Sequence, residues 1–363
     1  MRGEGGMNYA YWLATVPGIS NRVKLNLWRA VGSAAALYAL TEDQLKKIDG
    51  VSSEVAAKLT ASHRVDVDAA YAELCAQGIT FLSVEDDAYP KRLKEIADAP
   101  FGLYQKGHLP QGMRMIAIVG ARRCSEYGRM IAMTLGRRLA EQGVCVISGM
   151  AQGIDHAGHE GALSTGGTTC AVLGCGVDIC YPPSGRGIFE KIPNRGCILS
   201  EYPPKTEPKP YFFPQRNRII AGLCEMVVVV EAKARSGSLI TADCALEQGK
   251  DVYAVPGRIT DPLSDGCNHL IRQGAGIILS VDDFLKELDL CGFVGYQQEK
   301  MENLLLEKEE RLVYSCVDLR PKGIGELLEK TDLAPSQLAQ ILARLTQKGY
   351  VAETFKNHYI RQI

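Results

Sequence analysis

No apolar run in the 363-residue sequence reaches the roughly 18 residues that a membrane-spanning helix needs. The first twenty residues carry one arginine, Arg2, and lack the apolar core of a secretory signal. The expectation is a cytoplasmic protein with no membrane partner. Twelve cysteines are scattered along the chain, but no two form a C-x-x-C pair. Cys170, Cys175 and Cys180, the densest group, match no familiar zinc spacing, so neither a metal nor a disulfide framework is expected. Cys145 and Cys170 lie in apolar runs, where a thiol acts as a small hydrophobe. Neither sign of charge dominates, because the formal net charge is -1. That departs from the basic excess usual in nucleic-acid binders. It leaves room for a local basic patch, since phosphate contacts act over about a Debye length, roughly 8 Å at physiological salt. The dinucleotide fingerprint is missing as well. Gly174-x-Gly176 runs into VDICYPP, and Pro182-Pro183 keeps a helix from starting soon after Gly176. With no Walker A lysine pattern either, no cofactor is expected.

What is present divides the chain into five stretches. Residues 1–75 read as a helical domain with two equivalent turns, Pro17-Gly18-Ile19 and Asp49-Gly50-Val51. Ser20 follows the first and Ser52 or Ser53 the second, each placed to cap the next helix. This resembles the helix-hairpin-helix arrangement, but two Gly turns arise easily by chance, and a small helical domain used for packing or protein contacts is the favoured reading. Residues 76–112 read as a connector leading into the core, extended from Asp87 to Pro110 with one helical turn and punctuated by Pro90, Pro100 and Pro110.

Across residues 113–290 the apolar runs MIAIVG, VCVIS, TTCAVLG, GCILSE, MVVVVEA, VYAVPG and IILSV alternate with helical periodicity. The fold class is α/β, a Rossmann-like doubly wound, mostly parallel sheet whose strands are buried on both faces. Residues 291–304 read as a linker. Residues 305–363 follow the winged-helix order of three helices and a hairpin, with Pro335 opening the third helix and the wing running from Val351 to Ile360.

In an open parallel sheet, ligands meet the loops at the carboxyl ends of the strands. Four such loops combine glycine with hydroxyls, acids or cations, as an anion site requires: residues 120–128, 148–155, 174–178 and 233–241. A basic patch, Lys205, Lys209, Arg216 and Arg218, is interleaved with Tyr211, Phe212 and Phe213. Cations for phosphate and rings for unstacked bases suit a single strand. The alternative assigns the Phe pair to packing and the arginines to ion pairs. Phe212 is expected in the core, and Phe213 fits either role. Asp155 is expected to cap its helix, with His156 and His159 as surface polar groups rather than metal ligands. Asp178, Glu201 and Glu231 sit near strand ends, but no nucleophile or metal accompanies them.

The segments YPKRLKEIADAPFGLYQKG, VGARRCSEYG, SGMAQGIDHAGHEGAL, VLGCGVDICYPP, SEYPP, FPQRNRIIAGL and EAKARSGSLITADCALEQGKDVYAVPG, in this order, resemble the DNA-processing protein A family (DprA, also called Smf). The resemblance covers nearly the whole chain. It implies a Rossmann-like domain that binds single-stranded DNA at its loop face and forms homodimers. It further implies protection of incoming DNA and loading of the recombinase RecA onto the strand in natural transformation, without catalysis. It implies a sterile-alpha-motif-like N-terminal domain and a winged-helix C-terminal domain. Carried over by motif, the DNA site comprises Gly120, Arg122, Ser125, Gly149, Lys209, Phe213, Arg216, Asn217, Arg218, Lys233, Ser236, Gly237, Ser238 and Thr241. Ala121, Gln152 and Cys224 depart from the family pattern, and the first two remove a hydroxyl and a cation.

Two rival classes fit the residues less well. A nucleoside-monophosphate phosphoribohydrolase shares the sheet, but its P-G-G-x-G-T-x-x-E signature is absent and SGSLITADCA stands in its place. A transcriptional regulator would read duplex through the third C-terminal helix, where only Arg344 and Lys348 are cationic.

Overall fold

The computed structural model describes residues 8–290, 306–318 and 321–361. The expected linker, residues 291–304, lies outside the described residues. Nine strands form the main sheet: β1 (Ile79–Ser83), β2 (Gly102–Gly107), β3 (Met115–Val119), β4 (Cys145–Ser148), β5 (Thr169–Leu173), β6 (Cys197–Ser200), β7 (Met226–Val229), β8 (Asp251–Ala254) and β9 (Gly276–Ile277). Their order is β1-β2-β6-β5-β4-β3-β7-β8-β9. Pairing is parallel from β6 through β9 and antiparallel for β1–β2 and β2–β6. Every residue of β3 through β7 is buried, as apolar runs covered by helices on both faces require. This is the α/β Rossmann-like fold. From β3 the chain builds toward β6 on one side, then returns to place β7 on the other. The crevice between the carboxyl ends of β3 and β7 is therefore the topological switch point.

Two helices behind that crevice, Glu126–Glu141 and Ile154–Ser164, approach very closely. A Cβ on Gly136 would run into the Gly158 carbonyl oxygen, and one on Gly161 into that of Met133. Glycine at these crossing points fixes the packing distance.

The stretch expected to be a connector instead extends the sheet. β1 and β2 form an antiparallel pair beyond β6, with Phe81 opposite Tyr104. Pro90 and Pro100 lie in the loop joining them, where the Tyr89 hydroxyl donates to the Pro100 carbonyl at 2.6 Å. The prolines had concealed two short strands. The helices of residues 9–76 pack on this added edge, Tyr11 meeting Phe81 and Tyr104 edge-on. Within them Gly18 and Gly50 take positive φ, and Ser20 and Ser52 cap the following helices as expected.

At the opposite edge β9 is only two residues long, where IILSV had suggested five. Ser280 caps the helix Val281–Glu287 and ends the strand early. Cys145, Cys170 and Cys197 sit side by side on β4, β5 and β6, with sulfurs 3.6 and 3.3 Å apart, packed as buried hydrophobes. The C-terminal part has its own core around Val313, Leu327, Leu338, Leu342 and Val351. Its helices are Lys308–Cys316, Ile324–Thr331 and Pro335–Gln347, the last opened by Pro335. Its sheet is ordered β10 (Lys322–Gly323), β12 (His358–Arg361), β11 (Val351–Phe355). Among the described residues no helix is long and apolar enough to cross a membrane.

Candidate functional site

The switch point opens into a cleft of about 370 Å³. Gly120 to Arg123 line it from the loop after β3, and Ala151 and Asp155 from the loop after β4. The loop after β7 and the first turn of the helix Gly237–Glu247 add Lys233, Arg235, Ser236, Ser238 and Thr241. Phe213, Arg216 and Asn217 come from the helix Phe212–Leu223. Arg122, Arg123, Lys233 and Arg235 are all exposed, and among the described residues none takes part in an ion pair. Four exposed cations without ion pairs, beside the positive end of an 11-residue helix, give the cleft a surface that can hold anions.

Beneath this surface the acids are occupied. Asp155 is buried and accepts from the amides of Gly149 at 3.0 Å and Ala151 at 3.2 Å. Burial pushes its pKa up against the pull of Arg216. Gly153, not Asp155, occupies the N-cap, so the carboxylate braces the preceding loop rather than capping its helix. Glu231 is buried at the end of β7 and accepts from the amide and hydroxyl of Ser125. That hydroxyl in turn accepts from the Gly128 amide and caps the helix Glu126–Glu141. Gly120 is held by close approach, since a Cβ there would lie 2.7 Å from Ile154 and 2.9 Å from the Glu231 carbonyl oxygen.

The expected site residues therefore separate into two groups. Arg122, Phe213, Lys233, Ser236, Gly237, Ser238 and Thr241 meet in the cleft with side chains or amides open to it, while Gly120, Arg216 and Asn217 also line it but are engaged with the protein. The others do different work. Arg216 lines the floor but is only 4 % exposed, and its guanidinium donates to the carbonyls of Gly149, at 2.8 Å, and Val172. Burial lowers its pKa to about 10. Gly149 leaves room for it, because a Cβ would lie 2.5 Å from the Arg216 Nη2. Asn217 donates to the Gly237 carbonyl at 3.2 Å and ties its helix to the start of the helix Gly237–Glu247. Arg218 does not reach the cleft: it pairs with Glu201 at 2.7 Å and Asp98 at 3.2 Å. Lys209 lies outside the lining, its Nζ 5.7 Å from the centre of the Phe212 ring.

Other expectations are corrected too. Phe212 is half-buried rather than core, with Tyr202 and Tyr211 at 4.0 and 4.6 Å between ring centres. His159 is fully buried rather than on the surface, and its Nδ1 lies 2.7 Å from the Thr169 hydroxyl, which donates to the Val146 carbonyl. The loop after β5 does not line the cleft. Arg123 and Arg235 were missed as site residues. Each stands within the quoted loops, close after a strand, which was the available signal.

The sequence model of the family described as DNA recombination-mediator protein A matches residues 80–289, more than half of the chain and all the strands of the main sheet from β2 onward. The chain belongs to this family. It is 46% identical over 224 residues to DNA processing protein DprA of Streptococcus pneumoniae, covering 61% of this chain and 79% of that protein. With its counterpart in Bacillus subtilis it shares 38% over 277 residues, covering 74% and 91%. The X-ray structure of the Streptococcus pneumoniae protein superimposes with a TM-score of 0.67 at 38% identity, over 78% of this chain and 98% of that one. DNA processing protein A of Helicobacter pylori, solved to describe its single-stranded DNA binding mode, gives 0.53 at 31% identity, over 58% and 95%.

Proposed function

We propose that this chain is a recombination mediator that binds single-stranded DNA in the switch-point cleft, protects incoming DNA and loads RecA onto it in natural transformation. The observation that carries the reading is the set of four exposed, unpaired cations beside Phe213, in a member of this family. Arg122, Arg123, Lys233 and Arg235 take phosphates, Ser236, Gly237, Ser238 and Thr241 add hydroxyls and amides, and Phe213 with Lys209 serves the bases and backbone beside them. Gly120, Ser125, Gly149, Arg216 and Asn217 hold that surface in shape, and Arg218 fixes the helix through Glu201.

The mediator works without catalysis. Asp178 accepts from the Lys205 amide, Glu201 pairs with Arg218 and Glu231 holds Ser125, which supports a binding role for the face. Residues 1–75 form a sterile-alpha-motif-like or helix-hairpin-helix-like domain, residues 113–290 the DNA-binding domain and residues 305–363 a winged-helix domain; the three helices and the β11–β12 hairpin support the last. Arg344 and Lys348 both pair with Glu310 of that domain, which favours an accessory over a duplex-reading role. The protein is cytoplasmic and homodimeric; the exposed apolar Ile277 and Leu279 at the short edge strand β9 support pairing with a second copy.

The test is competition between a fluorescent oligo-dT strand and its duplex, with AMP turnover followed in parallel. Preference for the single strand without released adenine is expected. Adenine release, or indifference to both DNAs, would overturn the reading.

A further inference from the structure

We infer that Tyr181 is a base-stacking residue of the single-strand path, presented by the loop after β5, which carries no cation. The inference rests on the proposed single-strand reading. Residues 174–183, after β5, contain neither lysine nor arginine and lie outside the cleft lining. Two polar groups of this loop are already engaged: the Gly176 amide donates to the Thr206 carbonyl at 2.9 Å, and Asp178 accepts from the Lys205 amide at 2.9 Å. A phosphate would find little here. What the loop offers is a ring.

Tyr181 is 40% exposed and lies stacked on Phe213, with ring centres 5.5 Å apart and planes inclined by 26°. Phe213 itself lines the cleft and carries the Arg122 guanidinium 5.4 Å from its centre. Gly174 keeps Phe213 in that position, since a Cβ there would sit 2.9 Å from the ring. Arg122, Phe213 and Tyr181 thus form a continuous run from the cation cleft to the loop after β5. Phe213 is partly covered by its two neighbours, and Tyr181 is the outer ring. Aromatic surface left open beside unpaired cations is the combination that single strands use, cations tracking phosphate and rings receiving unstacked bases. β5 lies two strands from β3. At about 4.8 Å per strand that is roughly 10 Å, so a phosphate at Arg122 and a base at Tyr181 belong to the same short stretch of DNA.

The experiment measures binding of the full chain, as wild type, Tyr181→Ala, Tyr181→Phe and Tyr181→Trp, to oligo-dT and to an abasic strand of equal length. Tyr181→Ala is expected to weaken oligo-dT binding about 5- to 100-fold, with the salt slope unchanged. Tyr181→Phe and Tyr181→Trp retain binding, and the abasic strand does not distinguish the four proteins. A 5-iodouracil strand is expected to crosslink to the peptide containing Tyr181. Equal affinity of Tyr181→Ala and wild type for oligo-dT overturns this inference and leaves the cleft reading standing. So does an equal loss on the abasic strand, which would assign Tyr181 to shaping the loop. A wild type that binds neither strand removes the cleft reading, and the role of Tyr181 with it.

Discussion

Arg122, Arg123, Lys233 and Arg235 stand exposed on the loops after β3 and β7 with no ion pair among the described residues, whereas Arg216 and Arg218, on the helix beside them, are spent inside the protein. The residue types are the same and the segments adjoin, yet one set is available to a ligand and the other is not. Net charge does not distinguish the two sets, and neither does the local density of basic residues. What separates them is whether each cation already has a partner. A buried guanidinium without partners would bear a large desolvation cost, so Arg216 engages two carbonyls. An exposed one is solvated until an anion arrives.

The strongest test of this contrast is Arg216→Ala. It removes the donor to Gly149 and Val172 and leaves Asp155 buried without its countercharge, so a loss of about 3 to 5 kcal/mol is expected in urea unfolding. A loss below about 1 kcal/mol would place Arg216 with the ligand-facing cations.

Acid supplies the next effect. Burial lowers the His159 pKa from 6.5 to about 3. The folded state therefore stays neutral there while the unfolded chain takes up a proton. Stability from this group is present above pH 6.5 and is lost as pH falls toward about 3. Between pH 7 and pH 5 the loss amounts to about 2 kcal/mol. His159→Leu should flatten that part of the stability-against-pH curve relative to wild type. Parallel curves for the two proteins would show that His159 is not the group responsible.

Arg218→Gln comes third, at about 1 to 2 kcal/mol, because the Glu201 side chain, 9% exposed, still accepts from Asn21. The variant should bind DNA with an unaltered salt slope. Smallest of all in stability is Arg122→Ala with Lys233→Ala, expected within about 0.5 kcal/mol of wild type by thermal melting. A large destabilisation would mean that these cations are structural after all.

Much of the architecture was legible because it is written in periodicity. The fully buried strands β3 to β7 need unbroken apolar runs, and Ser20, Ser52 and Pro335 announce helix starts by their chemistry. β1 and β2 were not legible, because they are short and the proline-rich loop joining them looks like a connector. The site was legible as a set of loops and only partly as a set of contacts. Arg216 and Arg218 stand in the same basic stretch, and only the folded chain shows that one turns into the floor of the cleft and the other toward Glu201. Tyr181 could not be singled out for a similar reason: its stacking partner, Phe213, lies 32 residues further along the chain. His159 was misread because a histidine in a helix does not reveal which face is turned inward.

The most direct test of the account is the salt dependence of oligo-dT binding by wild type, Arg122→Ala with Lys233→Ala, and Arg218→Gln. If the exposed cations are the phosphate contacts, the double variant loses affinity and its slope of log K against log salt becomes shallower by about 1.4, roughly 0.7 for each phosphate contact on a single strand. Arg218→Gln should keep the wild-type slope. An unchanged slope in the double variant, or a shallower one in Arg218→Gln, would contradict the division between available and spent cations.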